Sequence, residues 1–344
     1  MPEDQTPPPS SPTDLPLPPE AAKAVEVLQQ TLKQGVDLAW DEFAPGVARL
    51  GVVFVNVYAL NAGDGKWFLV DTGLPGFAGA VRAACEERFD GRPPEGILLT
   101  HAHFDHAGNA EALAADWNVP VYAHPLEMPY LIGESDYPAA DPTPGGAICF
   151  LSRFFPTGGY DLRGRVELRG LHGGEIPSLP GWRWLHTPGH TVGHVSLFRD
   201  YDKVLIAGDA LATVDLDSWQ DLVRKRRQIS RPATPFTPDW PAAKASVAAL
   251  AALDATTVAA GHGLPLWGRY VAGEVSSLAN TLHAPEGGRY ADSPPQFDED
   301  GRVVDVPPPA EDPLKPKLTL AAGLGIAGVA AAAYFLLRNR GGRA

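Results

Sequence analysis

Residues 97–106 read Ile97-Leu98-Leu99-Thr100-His101-Ala102-His103-Phe104-Asp105-His106, and their reading decides the fold. A short apolar run, the mark of a buried strand, ends in three histidines and one aspartate within six residues. In extended chain, residues two apart face the same way, so His101 and His103 can grip one ion. Asp105 and His106 follow as the chain turns into a helix, and address a neighbouring position.

Four other apolar runs end in the same manner. Trp67–Val70 runs into Asp71-Thr72-Gly73, and Trp184-Leu185 into His186-Thr187-Pro188-Gly189-His190. Val204–Ala207 runs into Gly208-Asp209, and Val258–Ala260 into Gly261-His262. Loops at one edge of a rigid sheet are where sites are usually built. Around these runs, strand and helix signals alternate. Helices are expected over Ala22–Leu32, Gly76–Arg88, Ala107–Ala115 and Pro241–Leu253, the last capped by Asp239. Strands are expected over Val52–Leu60, Val119–Ala123, Trp182–Leu185, Val195–Phe198 and Thr257–Ala260, and Tyr137–Pro144 reads as a loop. The class is α/β.

His-x-His-x-Asp-His, with Asp71-Thr-Gly upstream and Thr187-Pro-Gly-His190-Thr, Gly208-Asp209 and Gly261-His262-Gly downstream, resembles the metallo-β-lactamase-fold hydrolases over about residues 35–270. The resemblance implies a four-layer αββα sandwich with a dinuclear metal site at one edge of two sheets. Carried over by motif, His101, His103 and His190 hold one ion, and Asp105, His106 and His262 hold the other. Asp209 bridges both, and Asp71 sits behind the ligands and orients them. Two divalent ions per chain are implied. Nitrogen and oxygen ligands without sulfur suit zinc, with iron or manganese as alternatives. Two such ions about 3.5–4 Å apart share a hydroxide that attacks a carbonyl or phosphoryl centre, and Asp105 is placed to handle a proton afterwards.

Departures from the pattern narrow the substrate. Asp209 stands where the commonest zinc β-lactamases carry Cys, and His103 where flavodiiron oxygen reductases carry Glu. Only 53 residues separate Asp209 from His262, leaving no room for the inserted domain of nucleic-acid-processing members. About twenty globular residues follow His262, which weighs against glutathione recognition of the glyoxalase II kind. A small acyl substrate remains: a thioester, lactone or ester, within a glyoxalase II or lactonase-like branch. The alternatives are a mononuclear-iron oxygenase resembling persulfide dioxygenases and a membrane-tethered binding protein with a vestigial site.

The chain has 344 residues, 44% of them apolar and 20% charged, enough for one large domain. Its two cysteines, Cys85 and Cys149, exclude a disulfide scaffold and a Cys-built zinc finger, and both read as inert buried thiols. The net charge of −13 excludes a general nucleic-acid binder. Residues 1–20, with eight prolines, read as a disordered lead. Residues 21–283 form the catalytic domain. Residues 284–317 are an acidic, Pro-rich linker or arm, whose Arg289-Tyr290 and Val303–Val306 favour packing on the domain or on a second subunit, making a homodimer. Leu318–Leu337, twenty uncharged residues, would span about 30 Å as a transmembrane helix, with 338–344 a basic tail. The expected arrangement is therefore a cytoplasmic catalytic domain anchored to a membrane by its C-terminus. His186 reads as structural, His194 as a neighbour of the site, and Arg224–Arg227 as a solvated helix face.

Overall fold

The computed structural model describes residues 37–314, apart from 157 and 159. The lead, the expected helix at Ala22–Leu32 and the segment from 315 onward lie outside the described residues.

Two sheets carry the molecule. The first has seven strands in chain order: β1 (Asp37–Ala44), β2 (Val47–Val52), β3 (Val55–Gly63), β4 (Lys66–Val70), β5 (Ile97–Leu98), β6 (Val121–Ala123) and β7 (Leu168–Gly170). It is antiparallel from β1 to β4 and parallel from β4 to β7. The second runs β12-β11-β10-β9-β8, with β8 (Trp182–His186), β9 (Val195–Arg199), β10 (Val204–Ile206), β11 (Thr257–Ala259) and β12 (Leu266–Trp267).

Strand periodicity sorts the core into layers. Along β3 and β4, Val55, Val57, Ala59, Trp67 and Leu69 face outward. They meet α1 (Ala78–Arg88) through Val81, Ala84 and Cys85, and α3 (Ala110–Trp117) through Leu113 and Ala114. The alternate residues Tyr58, Leu60, Phe68 and Val70 face inward, onto Trp182, Val195, Leu197, Val204 and Ile206 of the second sheet. That sheet turns Phe198, Leu205 and Val258 to its far side. There Leu250 of α7 (Trp240–Ala251) and Val271 and Val275 of α8 (Val271–Thr281) cover them. The result is α/β/β/α. Asp239 caps α7 by accepting from the Ala242 N–H at 2.9 Å.

Three expectations need correction. The Val52–Leu60 run is two strands, β2 and β3, joined at Val53-Phe54. Neither is a turn-forming residue, and Val53 takes φ +63°, a backbone region that branched side chains avoid. Within residues 21–283 no element is expected beyond Thr257–Ala260, whereas β12 and α8 follow His262. The transmembrane helix is withdrawn from the fold class: no described helix is long and apolar enough to cross a membrane. The longest, α7, has 12 residues and rises about 18 Å, well short of a bilayer's hydrocarbon. Leu318–Leu337 itself lies outside the described residues.

Residues 284–314 lie along the body. They include a small hairpin of β13 (Gln296–Phe297) and β14 (Val303–Asp305).

Candidate metal centre

Every residue of the motifs arrives at one edge of the two sheets. Strand β4 ends in Asp71 and β5 in Thr100-His101. His103 is the last extended residue before α2 (Phe104–Ala107), which carries Asp105 and His106 in its only turn. His190 comes from the β8–β9 loop, Asp209 follows β10, and His262 follows β11. Backbone bonds dock the two sheets here: Val195 N–H donates to Thr100 O at 2.9 Å, and Asn56 N–H to Gly261 O at 2.8 Å.

The ligand-capable atoms of His101, His103 and His190 lie within 4.8 Å of one another, as do those of Asp105, His106 and His262, and those of His101, His106 and Asp209. His103 Nδ1 lies 2.9 Å from the Nε2 of both His101 and His190. Asp209 reaches both halves. Its Oδ2 is 3.5 Å from His190 Nε2 and 3.1 Å from His262 Nε2, and its Oδ1 is 3.6 Å from His106 Nε2. Asp105 Oδ2 is 3.5 Å from His262 Nε2. Bonds of 2.0–2.1 Å at tetrahedral angles put ligand atoms about 3.4 Å apart, so these spacings fit a cation.

Hydrogen bonds behind the rings turn the opposite ring nitrogens inward. Asp71 accepts from the Thr100 N–H at 2.8 Å, from the Thr100 hydroxyl at 2.9 Å and from His106 Nδ1–H at 2.8 Å. With its proton given to Asp71, Thr100 Oγ1 accepts from His101 Nδ1–H at 3.0 Å. One carboxylate thus orients two rings, turning Nε2 of His101 and His106 inward. Thr237 donates to Ala233 O at 2.8 Å and so accepts from His190 Nδ1–H at 3.4 Å. His262 Nδ1–H donates to Phe54 O at 2.9 Å. His106 Nε2 and Asp209 Oδ1 are buried with no hydrogen-bond partner. Ring nitrogens and carboxylates converging on one point, two of their atoms without a hydrogen-bond partner, fit a metal ion.

The electrostatics divide the cage. Burial and the neighbouring imidazoles push His101 and His190 well below the usual imidazole range, and burial with His106 brings His103 down to about 3. Burial also depresses His262, but Asp209 and Asp105 outweigh it and hold it at about 9.

Two residues without a sequence motif support the cage. His194 is fully buried, and its Nε2 accepts the Asp209 N–H at 2.8 Å, fixing the turn that delivers that carboxylate. Ser196 donates to Ala207 O and Thr187 to Ser196 Oγ, so Thr187 accepts from His194 Nδ1–H at 2.8 Å, which leaves Nε2 free to accept. Glu127 is also fully buried. It accepts from the Ala102 N–H at 3.0 Å, the Tyr137 hydroxyl, the Thr191 hydroxyl at 2.6 Å and the Gly193 N–H at 2.8 Å. It ties the His101–His103 segment to the His190 loop. A lone glutamate in a Pro-Leu-Glu turn carries no sequence signature. The one available signal is a carboxylate inside an apolar stretch.

Asp71 is buried behind His106 and takes φ +58°, a strained conformation at the strand's end. His186 lies apart from the cage, stacked on His124 with ring centres 4.2 Å apart. Cys85 and Cys149 are buried free thiols. Helix α6 (Trp219–Arg224) ends where Lys225 turns left-handed, and Arg227 lies over Trp267. Phenylalanines ring the entrance. Phe54 stacks on His262 and Phe155, Phe104 packs on Phe155, and Phe236 packs on His103 and Phe155.

Known proteins place this arrangement. The family model of the metallo-beta-lactamase superfamily matches residues 50–262, the span that contains all five motifs. A probable metallo-hydrolase of Bacillus subtilis, YflN, is 40% identical over 245 residues, covering 70% of this chain and 92% of that protein. An N-acyl homoserine lactonase from a Bacillus species is 30% identical over 120 residues, 35% of this chain and 37% of the other. The hydroxyacylglutathione hydrolase GloC of Haemophilus influenzae is 30% identical over 121 residues, 33% of this chain and 49% of the other. By its fold, its cage and its likeness along the whole motif-bearing span, the chain belongs to the metallo-beta-lactamase superfamily and is a metal-dependent hydrolase.

Proposed function

We propose that the chain hydrolyses a small acyl substrate, a thioester, lactone or ester, with two divalent ions held in the cage. His101, His103 and His190 would hold one, Asp105, His106 and His262 the other, and Asp209 would touch both. The observation that carries this reading is Asp209, whose two oxygens lie within 3.1–3.6 Å of imidazole nitrogens from both halves. Two divalent ions bound there would supply a water of lowered pKa and polarise the acyl oxygen.

The remaining work falls to the chain. Asp71 keeps Nε2 of His101 and His106 turned inward, toward the ions. Asp105 is 7% exposed at the edge of the cage, where its carboxylate can take a proton from the attacked centre and return it to the leaving group. Phe54, Phe155 and Phe236 keep bulk water off the reacting atoms and strengthen every charge interaction inside. The lactonase and hydroxyacylglutathione hydrolase among the relatives, both named for acyl substrates, support the acyl reading.

Metal analysis followed by a panel of thioesters, lactones, esters and a chromogenic β-lactam tests it. Two ions per chain and turnover on the acyl panel well above the β-lactam are expected. One iron per chain with oxygen uptake, or preference for the β-lactam, overturns the proposal.

A further inference from the structure

On its imidazole side the cage opens into a narrow cleft. His103 and His190 form the floor, and Pro138, Val192, Pro235 and Phe236 line the body's side. Tyr290 and Phe297, from the stretch that follows the last described helix, complete the lining. Among the described residues lining the cleft, none is Lys, Arg, Asp or Glu.

That stretch is fastened down as a strap. The Arg289 N–H donates to Asp141 at 2.5 Å and the Tyr290 hydroxyl to Ala139 O at 2.5 Å. Tyr130 donates to Gly301 O at 2.5 Å, and Arg302 pairs with Glu134 at 2.8 Å. Further along, Arg153 grips Asp312 through two bonds of 2.8 and 2.9 Å. Gly288 takes φ +118° and lies so close to Asp141 that a Cβ would collide with its carboxylate, so the approach requires glycine there. Tyr290 is 4% exposed and packs on Trp240, Val247 and Leu282. Arg289 does not serve the cleft, since its Nε–H donates to Pro307 O at 2.5 Å.

We propose that this strap is the specificity wall of the site, and that it selects an uncharged, apolar acyl group lying against Tyr290 and Phe297. The proposal rests on the acyl-hydrolase reading above. Each methylene buried against such a wall is worth about four-fold in transition-state binding. A carboxylate at the far end of the same chain would be desolvated against Tyr290 and Phe297, where no Lys or Arg lines the cleft to meet it.

The test uses the full chain carrying two ions and the p-nitrophenyl esters of acetate, butyrate, hexanoate and succinate (the monoester). Wild-type kcat/KM should rise about ten-fold or more from acetate to hexanoate, and the succinate monoester should fall below butyrate. Phe297→Ala should cut the hexanoate-to-acetate ratio about ten-fold. Val304→Ala, exposed on the same hairpin, should leave that ratio as it was. Phe297→Lys should reverse the order of butyrate and succinate. A flat chain-length series in active wild type overturns the strap proposal alone, as does a ratio unmoved by either Phe297 variant. Failure on all four esters with two ions bound overturns the strap proposal; failure on thioesters and lactones as well overturns the hydrolytic reading.

Discussion

The two halves of the cage are built from opposite chemistry. His101, His103 and His190 present only imidazole, while the other half adds the Asp105 carboxylate to His106 and His262 and lies closest to Asp209. Their titration differs accordingly, with burial driving His103 down to about 3 while the carboxylates hold His262 at about 9. The imidazole half attracts a cation through neutral lone pairs held in advance by Thr100 and Thr237. The carboxylate half attracts it through charge. Their surroundings differ too: the first opens on the strap and its cleft, the second on Phe54 and Phe155.

The largest effect should come from the group the halves share. Asp209→Asn removes the charge between two cations, so metal content should drop to one ion or fewer, with turnover down by two orders of magnitude or more and the circular dichroism spectrum retained. Retention of both ions would dissolve the contrast. Asp71→Asn should come next, because one carboxylate aims a histidine in each half. Outer partners of this kind cost about 10–100-fold in metal affinity, and competition with a chelator should show both ions weakened. Weakening of one ion alone would separate Thr100 from the relay.

Glu127→Gln should discriminate between the halves. An amide has one acceptor oxygen, so two of the four donors lose their partner, at a cost on the order of 1–3 kcal/mol in stability. The segments released carry His101, His103 and His190, so the imidazole-half ion should weaken about ten-fold and the other should not. Equal weakening counts against the assignment. The smallest effect belongs to Thr237→Val, which removes a long bond of 3.4 Å to His190. A few-fold loss in affinity for the same ion is expected, and a loss matching that of Glu127→Gln would show the tautomer relay to be as important as the loop tie.

The layers were expected from the resemblance, and the gathering of the motifs from local pattern. Alternation along β3, β4, β9 and β10 separates inner from outer faces, and each motif sits where an apolar run stops. Asp71 was expected behind the ligands, but Glu127 and the Phe54 carbonyl were not legible, because their meaning is made by distance in sequence. Glu127 joins Ala102 to Gly193, and Phe54 offers its carbonyl to a histidine 208 positions later. The Val53-Phe54 turn was missed for a related reason: its residues favour extended chain, and only tertiary contacts hold the bend. Arg289-Tyr290 and Val303–Val306 favour a packed arm in sequence, but that Tyr290 and Phe297 reach the cleft depends on contacts with Asp141, Ala139 and Tyr130, more than 140 residues earlier.

The cage draws its ligands from both sheets: four from the β5–α2 segment, and His190, Asp209 and His262 from the second sheet. Bound ions would therefore act as a cross-link between halves of the chain up to 157 residues apart, from Asp105 to His262, much as a disulfide closes a long loop. Since the unfolded chain cannot assemble those ligands, occupancy becomes folding free energy, on the order of 4 kcal/mol per ion at a free concentration a thousand times its Kd. Chelation should lower the melting temperature and split a single cooperative transition toward two. The protein's lifetime, and not its catalysis alone, would then follow the supply of metal.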